Sequence, residues 1–168
     1  MAMLRIAGVT PESIVDGKGI RYVIFTQGCP HHCPGCHNPQ THDFKGGSLR
    51  ETESFLGEIA ENPLLKGVTF SGGEPFCQPA PLAELAQKIH AMKKDVTVFT
   101  GYTLEELQKL QDPKVDALLQ ETDVLIDGRY EEELRDLTLR FRGSRNQRVI
   151  DMKKTRETGE IVLVPEEG

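Results

Sequence analysis

The sequence predicts an α/β fold on a parallel sheet that stays open. Short apolar runs at residues 20–26, 66–70, 95–99 and 124–126 alternate with stretches of helical periodicity, the pattern of a parallel sheet covered by helices. Each unusual stretch of the chain follows one of those runs directly, where ligands bind in such sheets. With 168 residues and about five or six strands, the chain is too short for a closed eight-stranded barrel. The expectation is a partial, open parallel β/α barrel. It forms a single domain over residues 1–168, with a core over about 8–152 and a charged tail over 153–168.

Residues 4–15 read as short extended pieces broken at Pro11. Asp16-Gly17-Lys18-Gly19 is turn chemistry. The run 20–26 is β-branched and aromatic, bounded by glycines, and reads as the first core strand. The loop after it holds Pro30, Pro34 and Pro39 with Gly28 and Gly35, so a regular helix is excluded. Ser48 and Glu51 have capping-box spacing and predict a helix over about 49–61, with Phe55, Leu56 and Ile59 on one face. A buried strand at 66–70 runs into Ser71-Gly72-Gly73-Glu74-Pro75. Leu82, Leu85, Ile89 and Met92 stand at helical spacing. The strand 95–99 ends in Thr100-Gly101-Tyr102. Thr103 and Glu106 form a second capping box, with a helix to about Gln111 and another piece from Pro113 to Gln120. The strand 124–126 ends at Asp127-Gly128. Residues 131–137 predict an acidic helix, 140–148 a basic turn-rich segment, and 161–164 a last edge strand.

A net charge of −6 argues against a nucleic-acid partner, because phosphate neutralisation needs a basic face. No apolar run approaches the ~20 residues that span a bilayer, and the first residues lack a signal peptide's apolar core. A cytoplasmic address follows. There a disulfide framework is disfavoured, and clustered cysteines bind metal or do redox chemistry.

Three of the four cysteines, Cys29, Cys33 and Cys36, share one loop with spacing C-x3-C-x2-C. Three thiolates on a cubane of four irons leave one iron open for a small molecule. Zinc is the alternative, with His31, His32, His37, His42 or Cys77 as a fourth ligand. Spacing favours the cluster, because zinc ribbons come as two separated knuckles. A zinc module would be colourless; a cluster protein would be brown and bleach in air. Gly72 and Gly73 let a ligand approach the backbone, and alone they would be no more than a strand-to-helix turn. Cys77 reads as a small buried residue and not a ligand. His31, His32 and His37 read as loop surface or as neighbours of the ligands.

Together, the C-x3-C-x2-C loop after the first core strand and Gly-Gly-Glu-Pro after the second resemble the radical S-adenosylmethionine (radical SAM) superfamily. The stretches 16–21, 28–38, 71–75, 100–102, 123–128 and 142–148 are most similar to the activases of anaerobic (class III) ribonucleotide reductases. The resemblance covers about residues 8–152. It implies a [4Fe–4S] cluster on Cys29, Cys33 and Cys36, with S-adenosylmethionine chelating the open iron. It implies cofactor contacts at Ser71, Gly72, Gly73 and Glu74, with the last three at the amino group. The backbone of Gly35, Cys36 and His37 would lie near the adenine, and Thr100 near the ribose. Many members carry an aromatic residue where this chain has Gly35.

The implied activity is reductive cleavage of S-adenosylmethionine to a 5′-deoxyadenosyl radical, which abstracts hydrogen from a glycine of the reductase's glycyl-radical subunit. An external low-potential donor such as flavodoxin would supply the electron. Neither nucleic acid nor membrane is expected as a partner. A different small radical SAM enzyme, acting in deazapurine synthesis or on another glycyl-radical enzyme, is the first alternative; a zinc-binding interaction module is the second. Arg140, Arg142, Arg145 and Arg148 would dock the reductase or an anion, or form a solvated loop. Asp16 and Arg21 read as structural.

Overall fold

The computed structural model describes residues 2–31, 33–36 and 39–165. The chain runs through β1 (Met3–Ser13), β2 (Arg21–Thr26), β3 (Ser48–Glu51), α1 (Glu53–Glu61), β4 (Gly67–Gly72), α2 (Pro79–Ala91), β5 (Asp95–Phe99), α3 (Leu104–Lys109), α4 (Pro113–Gln120), β6 (Val124–Asp127), β7 (Arg148–Asp151) and α5 (Met152–Thr158). The strands form one open sheet in the order β3-β1-β2-β4-β5-β6-β7. The four central strands β2, β4, β5 and β6 are parallel. The expected parallel centre is therefore present, and the sheet extends beyond it. β1 and β3 add antiparallel strands at one edge, and β7 adds another at the opposite edge.

Alternation along each central strand separates two faces. Tyr22, Ile24, Val68, Phe70, Val96, Val98 and Leu125 point into an apolar core with residues of α1, α2, α3 and α4. Successive side chains alternate between faces, so Arg21, Thr69, Ser71 and Thr97 fall on the opposite side. That side is polar and holds the cavities. Arg21, almost fully buried, donates from Nε to Thr69 Oγ1 at 2.7 Å and from Nη1 to the Lys18 carbonyl, and it pairs with Asp95 at 2.5 Å. Asp16 accepts from Ser13 Oγ, and its carbonyl accepts from Thr69 Oγ1. Both residues have the structural role expected of them.

Three local expectations are corrected. First, β1 is continuous through Pro11. The β3 pairing stops at Ile6, and Pro11 falls in the register irregularity between Thr10 and Ser13, where a missing N–H costs no ladder bond. Second, residues 48–51 are a strand and not a capping box. Leu49 and Arg50 pair with Arg5 and Leu4, and Thr52 N–H donates to the Ala2 carbonyl, so the helix starts later, at Glu53. Third, the acidic segment forms only a three-residue 3₁₀ turn, Glu132–Leu134. The second capping box is present in full, with Thr103 and Glu106 satisfying each other's backbone N–H groups.

The tail is docked. Met152 and Thr155 of α5 are buried, and Leu163 makes one antiparallel bridge to Ile150. Residues 161–164 thus form less than a full strand. Among the described residues, no helix is long and apolar enough to cross a membrane.

Candidate cluster and cofactor site

The parallel strands deliver four loops to one end of the sheet, and a cavity of about 580 Å³ opens there. That volume is within the ~300–1,000 Å³ range of small-molecule sites. Cys29, Cys33 and Cys36 line it after β2, Ser71 and Gly72 at the end of β4 with Gly73 next, and Thr100 and Gly101 after β5. The opposite wall comes from Ile14 and Val15 and from Leu137, Arg140, Phe141 and Arg142.

The cysteine loop is built by short-range chemistry. The Cys36 N–H donates to the Cys33 carbonyl at 3.1 Å across Pro34 and Gly35. Gly35 has φ +75°. Proline followed by a positive-φ glycine is the pattern of a type II turn, and it sets Cys33 and Cys36 side by side. Cys29 is buried, and Gly28 and Cys29 donate to the carbonyls of Thr41 and His42. Gln27, also buried, donates from Nε2 to the carbonyls of Gln40 and Asp43 at 3.0 and 2.7 Å. It closes the loop's return. The sequence pattern gave no sign of this role, because a glutamine at a strand end carries no motif. Burial pushes the Cys33 thiol up, against a hydrogen bond from the Tyr130 backbone that draws it down.

The two glycines of the second loop serve packing. A Cβ on Gly72 would clash with the Thr26 backbone, and one on Gly73 would lie 2.5 Å from the Gly28 carbonyl oxygen. Gly72 faces the end of β2 and Gly73 the start of the cysteine loop, and their absence of side chains lets the two chain segments touch backbone to backbone. The N–H groups of Gly73 and Glu74 donate to the carbonyls of Thr26 and Gly28 at 3.0 and 2.8 Å.

Glu74 stands behind the cavity wall with its side chain fully enclosed. Its carboxylate accepts from Gly101 N–H at 2.7 Å and Phe76 N–H at 3.0 Å, and Thr100 Oγ1 lies 2.9 and 2.8 Å from its two oxygens. His31 Nε2 lies 2.6 Å from Oε1. The Thr100 hydroxyl is thus committed to Glu74. Gly35 is outside the cavity lining, and a side chain there would run into Glu132 and Tyr130. His37 lies outside the described residues.

Cys77 is exposed, not buried as expected, and it does not line the cavity. Protein packed around its thiol, with the Glu74 and Cys29 charges, pushes it up to about 11. Of the basic segment, Arg140 and Arg142 reach the cavity, whereas Arg148 turns away to Asp127 and Glu105.

The donor set fits a cluster. A cubane spreads its thiolates over different irons, and three thiols on one cavity wall suit that.

Residues 15–150 match the family model of the 4Fe–4S single cluster domain. The anaerobic ribonucleoside-triphosphate reductase-activating protein of Salmonella typhimurium is 38% identical over 145 residues, covering 82% of this chain and 92% of that one. The chain belongs to this family. The activating protein of Haemophilus influenzae is 35% identical over 146 residues, again 82% of this chain, and 91% of its own. Among solved structures, the crystal structure of QueE from Escherichia coli matches with a TM-score of 0.48 at 19% identity, over 60% of this chain and 54% of that chain. Membership among activating proteins, with a 4Fe–4S domain over the cysteine loop, sets aside the zinc module.

Proposed function

We propose that this protein activates an anaerobic ribonucleotide reductase by creating a glycyl radical on it, using a [4Fe–4S] cluster and S-adenosylmethionine. The observation that carries the reading is the meeting of three cysteines with the Ser71-Gly72-Gly73 backbone on one open cavity. Cys29, Cys33 and Cys36 would hold the cluster. Ser71, Gly72 and Gly73 would hold the methionine end of S-adenosylmethionine through their backbone. Glu74 from behind the wall and Thr100 on it fix the loops that carry those groups, through the bond between them. Bound together, cluster and cofactor would supply one-electron reductive cleavage of the cofactor's C–S bond and, through it, removal of a hydrogen atom from the glycine Cα.

What this chain contributes is orientation and access. The loops after β2 and β4 are joined by backbone hydrogen bonds, and the Glu74 carboxylate ties the loop after β5 to them, so the two holders keep a fixed spacing. The wall of Ile14, Val15 and Leu137 is exposed and apolar, which leaves a way in for a peptide loop. A low-potential donor of the flavodoxin type is the proposed source of the electron.

The test is anaerobic reconstitution, reduction with dithionite in the presence of S-adenosylmethionine, and chromatography for 5′-deoxyadenosine. The reading expects it as a product. A fully loaded protein that makes none overturns the reading.

A further inference from the structure

Glu74 receives three loops at one carboxylate. Gly101 N–H and Thr100 come from the loop after β5, Phe76 N–H from its own loop after β4, and His31 from the cysteine loop after β2. The His31 side chain is 5% exposed and that of Glu74 is 0%. A carboxylate oxygen only accepts, so His31 Nε2 carries the proton and donates, at 2.6 Å. The imidazole is held on two further sides. Its ring meets Tyr102 edge-on with centroids 4.6 Å apart, and a methyl on Gly101 would fall inside contact with it. Gly101 is glycine because His31 occupies that space.

We propose that His31 is a positioning residue. Latched to Glu74, it sets where the start of the cysteine loop, from Cys29 to His31, stands against the Gly72-Gly73 backbone. It thereby tunes how S-adenosylmethionine meets the cluster. This inference rests on the cofactor reading above. A hydrogen bond to a carboxylate sealed from water is charge-assisted and strong, and it is the side-chain tie from the cysteine loop to the buried carboxylate of the Gly-Gly-Glu loop.

The test compares unsubstituted protein, His31→Leu, His31→Gln and Gly101→Ala, each reconstituted anaerobically. Iron and sulfide content and the thermal midpoint are measured first. S-adenosylmethionine is then titrated against the electron paramagnetic resonance spectrum of the reduced cluster. His31→Leu fills the space without a donor, and it should keep its iron while needing about tenfold more cofactor for the half-maximal spectral shift. His31→Gln, which keeps a donor, should recover most of that loss. Gly101→Ala, whose methyl crowds the ring at Cδ2 and Nε2, should weaken the shift in the same direction. His31→Leu and Gly101→Ala proteins that titrate like the unsubstituted one overturn the latch. So does loss of iron in both His31 variants, which would make His31 part of cluster retention itself. If the unsubstituted protein shows no shift at all, the cofactor reading fails, and the latch falls with it.

Discussion

The Glu74 N–H donates to the Gly28 carbonyl at 2.8 Å, joining the loop after β4 to the residue just before the first cysteine. Gly73 lies under the same oxygen, with no room for a Cβ. The predicted consequence is that Gly73→Ala forces the two loops apart. Overpacking of this kind costs roughly 1–3 kcal/mol. A thermal melt of the metal-free protein should show the loss, and reconstitution should give less than the full iron content.

Cluster retention should separate the four cysteines. Alanine at Cys29, Cys33 or Cys36 should abolish the brown absorbance after anaerobic reconstitution. Alanine at Cys77, exposed and off the cavity, should leave it intact. Loss of the cluster in the Cys77 variant would show that the ligand set is wrong.

Away from the cavity, Arg148 donates from Nε to the buried Asp127 carboxylate at 3.0 Å, and Asp127 also accepts from the Leu104 N–H at the start of α3. Arg148→Ala leaves a carboxylate without its cation in the interior. The expected cost is about 3 kcal/mol, read as a lower denaturant midpoint with an unchanged slope. Because the strand end carrying Asp127 also carries Gly128 on the cavity wall, cofactor affinity should fall as well.

His90 sits between Glu121 and Asp123, each at 2.7 Å. Burial alone would lower its pKa, but the hydrogen bonds and charges of Asp123 and Glu121 outweigh it, and the pKa is raised. A raised pKa means the folded state binds the proton more tightly. The stabilisation is therefore fully present below the unfolded value of about 6.5 and is lost as pH rises through the folded value. Comparing His90→Gln with the unsubstituted protein by denaturation between about pH 5.5 and 9 should show a stability gap that is widest at the acid end. A gap that widens with rising pH would contradict the assignment.

Much of this was legible in the sequence, for local reasons. Continuous apolar runs marked β2, β4, β5 and β6, and parallel connectivity then put their loops at one end. Thr103 and Glu106 satisfy each other over three residues, so their capping box needed nothing from elsewhere. What was not legible depends on distant partners. Ser48 and Glu51 have helical capping spacing, yet β1 claims that segment as a strand. Glu74 carried a motif that pointed towards a ligand, but its carboxylate is spent on three loops that only the fold brings together. Gly73 and Gly101 are small because of Gly28 and His31, residues far away in the chain. The exposure of Cys77 follows from where the turn after β4 ends, which no spacing encodes.

The most direct measurement is electron paramagnetic resonance on the reconstituted, reduced protein mixed anaerobically with S-adenosylmethionine and the anaerobic ribonucleotide reductase. The expected result is a glycyl radical signal on the reductase that needs all three components and disappears with Cys33→Ala. Cofactor cleavage to 5′-deoxyadenosine with no glycyl signal would contradict it and point to a different substrate for the same site.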